Sequence, residues 1–321
     1  MKLQQVTRLG LGFVFAAFFI WLTARQIDPT DFFRAFKGSR PERIGLAFIT
    51  FVIGYGCRVT RWHIMLLSDN PQLRWTNCAG PLLASFAANN VLPFRAGDLL
   101  RAFAYNGRLG ISAGTSLATL FVERLLDLLM VFLLFGCAIV AFGLDINRFA
   151  GIGAISLLIA AVVLLAVLLF PARFAPAVHF AAGFPARVFP TFGQKLRTEV
   201  DNGLLTLQEL TRASIMGKLI FCSMGAWLAE GCMFWIAAES LPTIIAPEAG
   251  WLALPVGTLA TLIPSAPGYA GTFDFFTMKA MVALGNTVPS SAAYALLVHL
   301  LVWLPPTIAG GIYVVLHPTK T

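Results

Sequence analysis

Charge is what this sequence has least of. Only 12% of its 321 residues are Asp, Glu, Lys or Arg, 58% are hydrophobic, and the mean hydropathy is +0.79. A soluble domain carries about 25% charged residues, so there is too little polar surface here to cover a water-soluble globule. Alternating strands of ~10 residues, the mark of a membrane barrel, are absent too. There is no Walker motif and no G-x-S-x-G elbow, which removes ATP hydrolysis and the commonest serine hydrolase chemistry. The four histidines, His63, His179, His299 and His317, form no HExxH or other ligand pair, so neither a metal nor a cofactor is expected. The five cysteines (Cys57, Cys78, Cys137, Cys222, Cys232) stand singly in apolar sequence and read as small buried apolar residues. The net charge of +8 has no basic run interleaved with aromatics. It points to anionic lipid headgroups at a membrane surface rather than to nucleic acid.

Long apolar stretches are what the chain has in quantity. Each approaches the ~20 residues that a helix needs to cross a ~30 Å hydrocarbon core, and backbone groups in lipid must be satisfied internally, which favours helices. Full spans are expected over residues 9–24, 44–67, 116–142, 151–170, 215–238 and 291–316. The first follows a short basic stretch but no A-x-A cleavage site, so it reads as an uncleaved helix. Asp28-Pro29 is a helix-start signal, and Phe32, Phe33 and Phe36 among charges suggest an interfacial amphipathic helix. A second amphipathic helix is expected over 195–210.

Two regions are broken. Residues 77–91 end in Asn89-Asn90, Pro93 follows, and a helical pattern resumes over 97–109. Residues 251–263 and 272–284 are split by Pro264, Pro267, Gly268 and Gly271. Both read as re-entrant hairpins. Each half then runs span, amphipathic connector, span, broken hairpin, span. Three crossings per half place the halves in opposite senses. The expected architecture is one all-α polytopic membrane domain of about six full transmembrane helices and two re-entrant broken-helix hairpins in an inverted repeat, with residues 1–148 and 149–321 as its repeats. Broken segments in matching positions are the best sequence pointer to a transport site. Twelve Lys and Arg fall on one side and six on the other, Arg58 and Arg61 being counted among the twelve, which favours cytoplasmic N- and C-termini.

A charge at the centre of a span costs about 2.5–3.5 kcal/mol on insertion scales, so such charges are paired or functional. The densest group is Asn89, Asn90, Pro93, Arg95, Gly97, Asp98 and Arg101. Asp98 and Arg101 stand at i, i+3, and Asp98 suits a helix N-terminus. Arg95 and Arg101 offer planar forks suited to phosphate. Glu123, Arg124 and Asp127 form a second group, in which Glu123 and Asp127 share a face and Arg124 can pair with Asp127. Asp274, Lys279 and Glu230 lie in the second half, and Glu230 can face a cavity or pair with Lys279. The charges can form a structural salt-bridge network, a substrate site, or both. Intramembrane hydrolysis by Asp98 and Asp127 is the enzyme alternative, but both have adjacent arginines and read as ion-pair partners, so no enzyme is expected.

Three segments carry a family resemblance: ANNVLPFRAGDLLRAF (residues 88–103), ERLLDLL (123–129) and PSAPGYAGTFD (264–274). In order and spacing they resemble the lysylphosphatidylglycerol synthase transmembrane family. The third segment departs from the family's P-G-G-L-G-x-x-E: Tyr269 and Ala270 replace Gly-Leu, and Asp274 stands where Glu is usual. The resemblance implies movement of lipids or lipid-linked headgroups between leaflets, two re-entrant hairpins that meet in the membrane, and a bacterial cytoplasmic (inner) membrane location. The acyltransferase-like domain of the fused family members is not expected, since the sequence stops at Thr321, and synthesis of lysylphosphatidylglycerol is not expected either.

The function expected is therefore a flippase-like lipid translocase for a phospholipid or lipid-linked headgroup. Its anionic or phosphate-bearing headgroup would meet Arg95, Arg101 or Arg124, with Asn89 and Asn90 as neutral hydrogen-bonding groups. Glu123, Asp127 and Asp274 would hold the arginines or meet a cationic headgroup, and Asp98 belongs to the same substrate site. The alternative is a non-flipping module that presents a lipid to a partner glycosyltransferase or synthase.

Overall fold

The structure is a computed structural model, and it describes residues 29–92, 96–144, 190–263 and 267–317 with the isolated positions 21, 163 and 173. Apart from Trp21 and Val163, the expected spans 9–24 and 151–170 lie outside the described residues, as do Pro93, Arg95 and Pro264. Everything described is helical or irregular, with no strand among the described residues.

Helix α1 (Pro29–Phe36) opens with proline, which needs no N–H in the first turn. Helix α2 (Pro41–Leu66) starts the same way. Helix α3 (Trp75–Val91) ends where Leu92 turns extended, as a residue ahead of proline must. The pattern expected over 97–109 is two helices, α4 (Ala96–Phe103) and α5 (Asn106–Leu109), and α5 stops at Gly110. Helix α6 (Ala113–Ala141) is capped by Ser112, whose hydroxyl accepts from the Thr115 N–H. Next come α7 (Pro190–Leu210), α8 (Ala213–Glu239), α9 (Gly250–Ala260), α10 (Thr272–Ala283) and α11 (Val288–Leu316).

Among the described residues, α2, α6, α8 and α11 are long and apolar enough to span a membrane. Their outer faces are apolar: Val140, Phe221 and Val315 are 80%, 75% and 79% exposed. Side chains that large are not left outward in water on such a scale, and they fit a lipid surface. The protein is a multi-pass membrane protein. Cys78 is buried, Cys57, Cys222 and Cys232 are half-buried, and Cys137 is exposed, so the expectation of burial fails for Cys137, which sits on the outer face of α6.

Helices α2 and α8 run antiparallel. Arg43 near the start of α2 bonds Glu239 at the end of α8 at 2.8 Å, while Arg61 near the end of α2 donates to Ser223 at 2.8 Å. The other contacts come in matched sets. Helix α3 packs on α4 and α11, as α9 packs on α10 and α6. Helix α4 packs on α6 as α10 packs on α11, and α7 lies on α6 as α1 lies on α11. Among the described residues two large apolar cores result, one around Phe51, Phe234 and Leu252 and one around Trp62, Leu82 and Leu126, with a small third around Met278, Ala292 and Ala295.

Candidate functional site

Both helix breaks are built by small residues and closed by carboxylates. At the first, α4 folds back so tightly on α3 that a Cβ at Gly97 would lie 1.9 Å from the Ser85 carbonyl oxygen. Only glycine permits that approach. Asn89 and Asp98 then lock the turn reciprocally: Asn89 Nδ2 donates to Asp98 Oδ1 at 2.9 Å, and the Asp98 N–H donates to Asn89 Oδ1 at 3.2 Å. At the second break the backbone is left-handed at Gly268 (φ 71°), Tyr269 (φ 60°) and Gly271 (φ 84°). Asp274 Oδ2 accepts from the Gly271 N–H at 2.9 Å and so caps α10. Asp274 Oδ1 meets His299 Nδ1 at 2.7 Å, and His299 Nε2 meets the Gly268 carbonyl at 2.9 Å.

The two breaks meet across Trp303. Its indole N–H donates to the Asn90 carbonyl at 3.3 Å, while Asn90 Nδ2 donates to the Trp303 carbonyl at 3.1 Å and to Thr307 at 2.8 Å. A Cβ at Gly268 would lie 2.7 Å from Trp303 Nε1 and 3.3 Å from the Asn90 carbonyl. Glycine is thus required there by space as well as by φ.

Behind the breaks lies a chain of ion pairs. Arg124 Nη2 bonds Asp98 at 2.9 Å and stands 3.7 Å from Glu123, while Nη1 stands 3.7 Å from Asp127. Arg101 bonds Glu123 at 3.0 Å and lies 5.0 Å over the Trp62 ring. Arg61 bonds Asp127 at 2.8 Å and stands 3.9 Å from Glu123. Trp227 Nε1 donates to Asp127 at 3.1 Å. Arg58 pairs with Glu230. These four arginines face four carboxylates, so the buried charge cancels, which is the condition for burying it at all.

A cavity of about 340 Å³ opens between the breaks and this network. Its polar wall carries Asn89, Asn90, Arg124, Asp127, the Arg58–Glu230 pair and His299. Its apolar wall carries Phe86, Trp227, Phe273, Trp303 and the ring-bearing Tyr55 and Tyr269. Few polar groups set in an apolar pocket is the usual build of a ligand site.

Of the residues singled out from the sequence, Asn89, Asn90, Arg124, Asp127, Glu230 and Gly268 line the cavity. Asp98 stands behind Arg124, and Asp274 stands behind His299. Arg101 and Glu123 are buried among α2, α4 and α6, away from the cavity wall. The i, i+3 relation of Asp98 and Arg101 is not a pair: each takes a partner on α6. Glu230 takes Arg58 rather than Lys279, whose ammonium lies 5.4 Å from the Phe275 ring centre. Arg58 and Arg61 are inside α2 and ion-paired, so they are not loop charges and give no weight to a loop-charge count. Sequence reading missed Arg58, Arg61 and His299 as partners. A cation inside an apolar span was the signal available for the two arginines.

Against known proteins, the family model described as "Lysylphosphatidylglycerol synthase TM region" matches residues 9–310. A curated relative, "Glycosyltransferase AglD" of Haloferax volcanii, is 22% identical over 339 residues, covering 97% of this chain and 54% of the relative. The chain thus spans about half the length of that relative. The match of the family model over nearly the whole chain agrees with the motifs at both helix breaks, and the protein belongs to the lysylphosphatidylglycerol synthase transmembrane-region family.

Proposed function

We propose that the protein is a lipid translocase that carries the headgroup of a phospholipid or lipid-linked substrate between leaflets through the cavity between the helix breaks. The observation that carries this reading is the placement of Arg124, Asp127, Asn89 and Asn90 on one cavity wall, within a protein whose outer faces are apolar. A headgroup crosses a bilayer only where polar groups replace its lost water, and acyl or prenyl tails can stay in lipid meanwhile. Arg124, 28% exposed, is the arginine best placed to meet a phosphate.

The matched helix contacts support an inverted repeat. If α1, α2, α3, α4 and α6 correspond to α7, α8, α9, α10 and α11, each pairing described above maps onto its counterpart, and α2–α8 maps onto itself. Under that correspondence the breaks are the two hairpins of a transporter site. The setting we propose is a bacterial cytoplasmic membrane with both termini on the inner side.

The second reading is a module that presents a lipid to a glycosyltransferase or synthase without moving it. It is favoured by the curated relative, which is named a glycosyltransferase and has about half its length outside the match. One experiment separates the two. The purified chain is reconstituted in vesicles holding a fluorescent phosphatidylglycerol, and dithionite is added outside. Loss of the inner-leaflet signal, slowed in Arg124→Gln, supports translocation. Protection equal to protein-free vesicles excludes translocation of that lipid by the chain alone and favours the module.

A further inference from the structure

Two acid–base pairs occupy matching places at the two breaks. Counting from Ala96, Asp98 is the third residue of α4, and counting from Thr272, Asp274 is the third residue of α10. Each meets a basic side chain on the next long helix, Arg124 at 2.9 Å and His299 at 2.7 Å. Counting from Ala113, Arg124 is the twelfth residue of α6, and counting from Val288, His299 is the twelfth of α11. Both line the same cavity.

The pairs differ in one chemical respect. A guanidinium is always charged, whereas an imidazole titrates. The surroundings of His299 say which form this geometry holds. Nδ1 faces a carboxylate oxygen and Nε2 faces a carbonyl oxygen, both acceptors. A neutral ring has one N–H and can serve one of them; the imidazolium serves both. A proton drawn across to Asp274 Oδ1 changes nothing in the count, because the pair then still holds one more proton than a neutral ring beside a carboxylate.

We infer that His299 is the headgroup-binding counterpart of Arg124, and that a net-negative phosphate headgroup occupies the cavity together with the proton this histidine holds. The inference rests on the reading of the cavity as a headgroup site. Charge balance is its basis. The four guanidiniums of the network are matched by four carboxylates, and protonated His299 matches Asp274. Without that proton Asp274 keeps the Gly271 N–H and the start of α10 but no cation, and the second wall turns negative toward an incoming phosphate.

The neighbouring charges do not replace it. Helix α11 brings no other charged residue, and α3 brings none. On α10 the ammonium of Lys279 lies over Phe275. On α1, Asp31 and Arg34 pair with each other at 2.8 Å. On α8, Glu230 is held by Arg58 and Glu239 by Arg43, and Lys218 is near the far end of the helix. Across the cavity stand Arg124 and Asp127, which are ion-paired, and Tyr55, while Tyr269 follows Gly268 in the second break.

The test is retention of phosphatidylglycerol over phosphatidylcholine by the purified full chain, read by native mass spectrometry between about pH 5 and pH 8. Wild type is expected to lose its preference by about tenfold per pH unit above the His299 titration, the slope of one linked proton. His299→Gln should flatten that slope, while Arg124→Gln should weaken retention at every pH and keep it. A wild-type slope in His299→Gln overturns the inference. Should His299→Gln not fold, Asp274→Asn serves in its place: with its carboxylate gone, the slope should begin at lower pH, and an unmoved slope overturns the inference. Nitrogen NMR of labelled histidine supplies a readout independent of lipid. An imidazolium with both ring N–H groups is expected at about pH 7, and a neutral ring overturns the inference even if lipid binding stands. No preference for phosphatidylglycerol at any pH, with the imidazolium in place, overturns the headgroup reading itself and the binding role with it.

Discussion

Arg58 on α2 and Glu230 on α8 form an ion pair in the cavity wall, and the Arg58 guanidinium lies 5.7 and 5.5 Å from the ring centres of Tyr55 and Trp227. Both side chains are 12% exposed. Removing one partner leaves a desolvated charge, which costs about 3–5 kcal/mol, whereas replacing both by apolar groups is often neutral. Arg58→Met and Glu230→Met are therefore each expected to destabilise strongly, and the double variant to recover most of the loss. Unfolding in detergent, arranged as a double-mutant cycle, checks this.

Glu123 and Arg124 adjoin in sequence but face different tasks. Glu123 is buried, bonded to Arg101, with Arg124 and Arg61 at 3.7 and 3.9 Å. Glu123→Gln removes the anion those arginines share, and a stability loss of about 3 kcal/mol is expected. Arg124 is 28% exposed at the cavity, and its partner Asp98 keeps the Asn89 amide and the start of α4. Arg124→Gln should cost about 1 kcal/mol while reducing lipid retention severalfold. Equal stability losses in the two variants would contradict this division.

Gly97 and Gly56 offer a matched pair. A Cβ at Gly97 collides with backbone, whereas one at Gly56 meets nothing within 4 Å. Gly97→Ala should fail to close α4 on α3, with a loss above about 3 kcal/mol. Gly56→Ala lies inside α2 and should gain about 0.5–1 kcal/mol. Thermal unfolding of the two variants decides it.

Tyr269 holds φ 60°, a conformation that costs an ordinary residue about 1–2 kcal/mol. The resemblance of the third segment implies glycine at this position. Tyr269→Gly relieves the strain but forfeits packing and chain stiffness of about the same size. Stability should change by less than about 1 kcal/mol, while lipid retention falls because a cavity wall is lost. A change in stability with retention intact would assign Tyr269 to the turn alone.

Apolar run length made α2, α6, α8 and α11 legible in sequence, and proline with glycine made both breaks legible. The i, i+3 rule worked for Arg124 and Asp127, which share one long helix. It failed for Asp98 and Arg101, because α4 is short and its two charged residues turn toward different partners, Asp98 to Arg124 and Arg101 to Glu123 under Trp62. Arg58 and Glu230 stand 172 residues apart, so no local pattern joins them. His299 looked like a lone histidine in an apolar helix. Its meaning appears only when α10 and the Gly268 turn are brought against it.

Cancelled charge in the finished molecule has a consequence for how the chain is made. Arg58 and Arg61 leave the ribosome long before their partners: Asp127 follows Arg61 by 66 residues, and Glu230 follows Arg58 by 172. At a synthesis rate of about 5–20 residues per second, Arg58 waits roughly 10–30 seconds for its carboxylate. Helix α2 thus carries Arg58 without its carboxylate until α8 supplies Glu230. A nascent chain stopped before α8 should remain held by the insertion machinery through α2, and synthesis of α8 should release it.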